Sequence, residues 1–311
     1  MINKKRVGLL TFTLELPDSL QYGMDYFFSQ IMERGIYTNI GIEISYCTKL
    51  PYIVDINDFI TINMKNINYY YNKNQHLYIA ENDYAYGIID CEKEHCKWYI
   101  LETFKNIRSI FHTCILDPLS LLGVRYGFIV LHAAMVEYKN RGIIFMGKSR
   151  AGKSTISMLI AKKSNEFLKY SDDTVQIYFE EKGIRTIPIF TGEGYFIPIA
   201  DKYLEDDVEK ISTVTIAEKK YYFPQKKEAN LYLCMIILLK NREEFTTSVL
   251  LENNEALTEI LRIQMHIIGP HLIQWFEHIN NLVKRVPVLN KQYKEECNID
   301  EIIKEIKKEL L

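Results

Sequence analysis

The chain lacks a charge surplus of either sign, a membrane-length apolar run, an internal repeat and any regular spacing of cysteines. Lys and Arg number 38 against 40 Asp and Glu, a net charge of -2 over 311 residues. No overall basic field is present to recruit nucleic acid or an anionic membrane, and neither is expected as a partner. No uninterrupted apolar stretch reaches the roughly 20 residues of a transmembrane helix. The basic start "MINKKR" leads into a very short apolar run and then Glu15 and Asp18, unlike a secretory signal. The six cysteines (Cys47, Cys91, Cys96, Cys114, Cys234, Cys297) are scattered, as expected of reduced thiols in a cytoplasmic protein. With 48% hydrophobic and 25% charged residues, the composition is that of a globular protein and argues against disorder.

What is present reads as an α/β chain of two parts, with the boundary drawn at residues 1–125 and 126–311. In the first part, "VGLLTFTLEL" and "IGIEISYC" alternate like strands, and "SLQYGMDYFFSQIMERG" has helical spacing up to Gly35. "HLYIAENDYAYGIIDCEKEHCKWYILE" reads as two or three antiparallel strands. "TFKNIRSIFHTCILDPLSLLGVRYG" is helical, with a boundary expected at Asp117-Pro118. The first part is thus α+β. In the second part, "FIVLHAAMV", "IIFM", "TVQIYF" and "RTIPIF" read as strands. "LYLCMIILL" has the wholly apolar pattern of a strand buried on both faces. Helices follow Leu250, the last capped by Asn298 or Asp300 and carrying Ile302, Ile303 and Ile306 on one face.

Chemistry concentrates between residues 130 and 175. Gly147-Lys148-Ser149-Arg150-Ala151-Gly152-Lys153-Ser154 satisfies G-x-x-x-x-G-K-[ST], directly after an apolar strand and before a helix. Gly147 and Gly152 supply backbone shapes that a β-carbon resists. The amides from Ser149 to Thr155 and the helix N-terminus present positive dipole to a phosphate. Lys153 is the residue expected on the β- and γ-phosphates of ATP, Ser154 the hydroxyl on Mg²⁺, and Arg150 adds charge nearby. Some twenty residues on, "SDD" offers Asp172 and Asp173. One carboxylate suits the metal and the other suits a general base; a pair of solvated turn aspartates is the plain alternative. His132 interrupts an apolar strand, where histidine is most often a satisfied core residue and less often an acid-base group.

The order of these pieces, "LHAAMV", "IIFMGKSRAGKST" and "SDD", resembles the P-loop kinases related to the C-terminal domain of HPr kinase/phosphorylase. The resemblance covers about residues 125 to 180. It extends loosely through "EKKYYFP", "LYLCMIILL" and "VPVLN". It implies a P-loop kinase core of the HPr kinase/PEP carboxykinase-like type with a mixed sheet, followed by C-terminal helices. It also implies that His132 lies near the reacting phosphate and that Asp172 and Asp173 supply a catalytic base and a metal contact. The leaning is to Asp172 as base and Asp173 on the metal side. Thr155 stands where HPr kinase/phosphorylase usually has Glu, "TGEGYFIPI" with Glu193 replaces a longer signature, and residues 1–125 match nothing in that enzyme. The resemblance is therefore to the related kinases. Several of these phosphorylate a serine hydroxyl in ribosomally made peptides of the lasso type, and others phosphorylate free serine.

The expectation is an ATP- and Mg²⁺-dependent serine kinase acting on a peptide or small molecule. A free-serine kinase and an ATPase or switch without phosphoryl transfer are the alternatives. Arg242, after the long apolar strand, is either a phosphate contact or a surface residue paired with Glu243 or Glu244. Cys91, His95 and Cys96 lack the paired spacing and fourth partner of a zinc site. Ile263, Ile267, Leu272 and Phe276 form a stripe suited to a core or to a homo-oligomer interface.

Overall fold

The computed structural model describes residues 2–7, 10–21, 24, 39–52, 59–64, 67–72, 74–189, 193–196, 212–216, 219–223, 230–241, 247–264, 271–293 and 298–310. It is an α/β structure of mixed sheets and several helices. The chain divides into two compact units, Met1–Ile129 with His266–Phe276, and Val130–Met265 with Glu277–Leu311. Part of a late helix thus counts with the first unit.

In the first unit, β1 (Ile2–Val7), β2 (Leu10–Glu15), β3 (Asn39–Cys47), β4 (Phe59–Met64), β5 (Ile67–Asn72), β6 (Leu77–Glu81), β7 (Ala85–Asp90) and β8 (His95–Leu101) form one sheet in the order β1-β2-β3-β8-β7-β6-β5-β4. The pairs β2–β3 and β3–β8 are parallel, while β1–β2 and the pairs from β4 to β8 are antiparallel. Alternation decides which face is covered: Cys96, Trp98 and Ile100 of β8 are buried, and the residues between them are not. Gly87 lies opposite Trp98 on β7, where a β-carbon would collide with the indole ring. Of the helix expected before Gly35, residues 18–21 and 24 are helical, and the others lie outside the described residues.

Helix α1 (Ile107–Tyr126) corrects two expectations. Its 20 residues have mean hydropathy 1.3, long and apolar enough to cross a membrane by those measures, yet 67% of that window is buried inside the protein. It is a core helix. It also runs straight through Asp117-Pro118. Residues His112–Leu116 widen into a π-turn in which the Asp117 amide donates to the His112 carbonyl, five residues back. The widened turn precedes Pro118, which has no N–H to give and whose ring crowds the preceding turn.

In the second unit, β9 (Phe128–Tyr138), β10 (Arg141–Met146), β11 (Phe167–Ser171), β12 (Thr174–Glu180) and β13 (Gly183–Pro188) precede β14 (Glu193–Phe196), β15 (Ser212–Ile216) and β16 (Lys219–Phe223), which form a small sheet of their own. The main sheet runs β10-β9-β12-β13-β17-β19-β18, with β17 (Leu231–Asn241), β18 (Thr247–Leu250) and β19 (Val288–Tyr293). β17 also pairs in parallel with β10, so the hydrogen-bonded path closes on itself. Met235 to Leu239 are all buried, which is why this strand reads as an unbroken apolar run. Four further helices are described: α2 (Lys153–Lys163), α3 (Asn253–Gln264), α4 (His271–Arg285) and α5 (Ile299–Leu310). Asn298 caps α5 through its side-chain oxygen on the Asp300 amide at 3.1 Å. Ile299, Ile302, Ile303 and Ile306 bury one face, and Lys291, almost wholly buried on β19, pairs with Glu305 at 2.6 Å.

Burial pushes the Asp117 carboxyl up from its ordinary 3.8 to about 7, partly offset by the hydrogen bond that Tyr69 donates at 2.8 Å. A raised folded-state value favours the neutral acid, so its stabilisation is full below pH 3.8 and is lost as pH rises through about 7. Both tryptophans, Trp98 and Trp275, lie in the first unit and are buried. Urea unfolding followed by their fluorescence should show stability falling by roughly 4 kcal/mol between pH 4 and pH 8, a slope that Asp117→Asn removes.

Candidate functional site

The turn from β10 into α2 is built from the loop Gly147 to Gly152. Gly152 sits in the left-handed region (φ 79°, ψ 11°) and caps α2 without any side-chain hydrogen bond. A β-carbon there would strike the hydroxyl of Tyr293. That hydroxyl donates to the Ala151 carbonyl at 2.5 Å, clamping the loop against β19. The Ala151 amide closes a turn onto the Lys148 carbonyl at 3.0 Å. Lys153 is buried and folds back over the loop, its ammonium donating to the Gly147 carbonyl at 2.9 Å and the Lys148 carbonyl at 3.2 Å. Lys148, Ser149 and Arg150 are exposed; Ser154 and Thr155 are half-buried at the start of α2. The first turn of α2 holds no acidic residue, so its free amides face no built-in anion.

The register of β9 against β10 sets the next group. Ala133 pairs with Met146, so His132 stands level with Gly147. The turn after β11 then docks on the same end of β9. The Asp173 main-chain carbonyl accepts from the Ala133 amide at 3.1 Å, and His132 Nδ1 lies 2.8 Å from that oxygen and 3.1 Å from Asp173 Oδ1. A carbonyl only accepts, so Nδ1 carries the proton, and in the neutral ring Nε2 is the acceptor. Gln264, buried at the end of α3, grips the His132 backbone from both sides: its oxygen accepts the amide at 3.0 Å and its nitrogen donates to the carbonyl at 2.9 Å. Ser171 fixes the turn by donating to the Thr174 carbonyl at 3.0 Å. The neighbouring aspartates differ in surroundings. The Asp172 side chain is 7% exposed and lies 3.5 Å from the ammonium of Lys169, itself 6% exposed; the Asp173 side chain is 20% exposed.

The structure therefore gathers His132, Asp173 and the loop at one end of β9 and β10, and carries Asp172 on the same short turn. Gln264, Lys169 and Tyr293 are neighbours that the sequence pattern did not flag. Other candidates stand apart. Arg242 and its proposed partners, His266 and Ile267 lie outside the described residues; Glu193 is described only as backbone of β14. Cys91 and Cys96 are buried, and burial pushes the Cys91 thiol up to about 12 and the Cys96 thiol higher still, while His95 is exposed. Among the described residues no group of three or more His, Cys, Asp or Glu is placed to hold a metal. His271 is buried with its basicity lowered by burial, and His278 stacks on Phe179 at 5.0 Å. Leu272 and Phe276 are exposed and Ile263 is half-buried, so these three do not form a core stripe.

No protein-family model matches the chain. No curated protein matches it. Among solved structures it is similar to the HPr(Ser) kinase/phosphatase from Coxiella burnetii at 10% identity, over 58% of this chain and 88% of that one, with a TM-score of 0.31. The functional reading rests on the site itself.

Two substitutions test how the loop is held. Gly152→Ala should lower stability by about 1–3 kcal/mol, because the backbone there is left-handed and Tyr293 fills the space. Tyr293→Phe removes only the hydroxyl clamp and should cost about 1 kcal/mol. Chemical denaturation of both variants measures each loss.

Proposed function

We propose that the chain is an ATP-dependent kinase that transfers the γ-phosphoryl group to a serine hydroxyl, in a peptide of the lasso-precursor kind or in a small molecule. The observation that carries this reading is the His132–Asp173 pair held beside the Gly147–Ser154 loop. A phosphate cradle alone fits any nucleotide-binding protein. A carboxylate with an imidazole partner next to it adds a group able to take a proton from an attacking hydroxyl.

The loop amides, the α2 N-terminus and Lys153 would hold the phosphates, with Ser149, Arg150, Ala151 and Thr155 around them. The Ser154 hydroxyl and a carboxylate of the turn are hard oxygen donors of the type Mg²⁺ prefers, so the residues present fit that ion. Bound there, Mg²⁺ would offset charge on the β- and γ-phosphates. The contacts favour Asp172 on the metal side, since it is buried and paired with Lys169. They favour Asp173 as the base, since it is more open and has His132 donating to it. This reverses the sequence-based leaning. In the transfer, the acceptor oxygen bonds to the γ-phosphorus, the bond to the β–γ bridging oxygen breaks, ADP leaves and the hydroxyl proton passes to Asp173. His132 Nδ1–H orients the carboxylate and balances its charge.

Incubation with radiolabelled ATP and three acceptors (free serine, an HPr-like protein and serine-ended precursor peptides) should label at least one of them. Folded protein that labels none would count against a kinase. Asp173→Asn should cut transfer by ~10²–10⁴-fold, the usual worth of a general base, while retaining nucleotide binding.

A further inference from the structure

We infer that Lys169 is a positioning residue of this site, a buried ammonium that holds Asp172 on the nucleotide side against the first turn of α2. The inference rests on the kinase reading above and adds a residue to it.

The local backbone explains how Lys169 reaches Asp172. The two are three positions apart, and in an unbroken strand residues at an odd separation face opposite sides. β11 is not unbroken: Lys169 pairs with Val136 and Ser171 with Met135, so one extra residue is inserted between them. A bulge of this kind shifts the phase of the side chains that follow and re-aims them. With the phase shifted, Lys169 Nζ comes within 3.5 Å of Asp172 Oδ1.

The same ammonium lies 3.4 Å from the main-chain carbonyl of Ser154. One cation thus touches both the carboxylate proposed for the metal side and the residue whose hydroxyl is proposed to share that metal. Both contacts are long for hydrogen bonds, so they orient by charge more than by tight directionality. Stability alone does not account for the arrangement. A buried ion pair repays little of its desolvation cost, and an apolar pair of similar volume often does as well. A carboxylate that must present one oxygen to a cation gains from a partner that fixes the other, which is how groups behind metal ligands act.

The test uses the full chain and titrates AMP-PNP calorimetrically, once with Mg²⁺ and once in EDTA. Lys169→Met should weaken Mg²⁺–AMP-PNP binding by ~10-fold, the lower end of the loss seen when such partners are removed, and leave metal-free binding within ~3-fold. Lys169→Arg should restore most of the Mg²⁺-dependent gain. Asp172→Asn should reproduce the metal-dependent loss, and the double variant should add less than ~2-fold to it, because the two side chains act as one unit. Equal losses with and without Mg²⁺, undiminished affinity in Lys169→Met, or full additivity in the double variant would each overturn the inference alone. Wild-type protein that binds AMP-PNP under neither condition would overturn the kinase reading and this inference with it. Should Lys169→Met fail to fold, Asp172→Asn decides: retention of the full Mg²⁺-dependent gain in that variant overturns the role given to Lys169.

Discussion

The site depends on one main-chain oxygen. The carbonyl of Asp173 takes the Ala133 amide and faces His132 Nδ1, so a turn from one strand is fastened to the end of another. Because Ala133 pairs with Met146 on β10, the same bond sets that turn level with the loop that follows β10. A slip of one residue in β9 would turn His132 to the other face and carry the turn out of register with the loop. Sheet register therefore fixes the distances between the chemical groups, and the side chains refine them.

Register is secure here because the strands are buried. Phe145 and Met146 on β10, Ala133 to Val136 on β9 and Met235 to Leu239 on β17 are all sealed from solvent. Moving any of them by one position would expose apolar surface at about 25 cal/mol per Å². The closed path through β10, β9, β12, β13 and β17 leaves these strands no free edge at which to slide. Gln264 then adds a lock specific to the histidine, a pair of amide bonds that substitutes for a missing strand neighbour.

Much of this was legible in the sequence, and what was not has a common cause. The apolar run of β17, the strand–loop–helix around Gly147 to Ser154, the capped terminal helix and the histidine strand all carry local patterns. Gln264 lies 132 positions from His132 and Tyr293 lies 142 from Ala151; no local periodicity joins residues so far apart. Lys169 was hidden for a different reason. Strand alternation places it on the face opposite Asp172, and only the inserted residue in β11 reverses that. The π-turn in α1 belongs to the same class: Asp117-Pro118 reads as a stop, yet one widened turn lets the helix continue.

The position of Lys153 bears on how a phosphate would enter. Its ammonium is held by two loop carbonyls, neutral acceptors at 2.9 and 3.2 Å, inside the curve that the loop amides define. A buried cation cannot stand unpaired without a large desolvation cost, so in the absence of an anion the loop supplies its own acceptors. A phosphate arriving at the amides offers charged oxygens in place of neutral ones, and charge-assisted bonds are roughly twice as strong. The exchange is downhill without first exposing the lysine to water. It keeps the loop closed in both states, with Tyr293 holding the Ala151 carbonyl and so the backbone on which the exchange takes place.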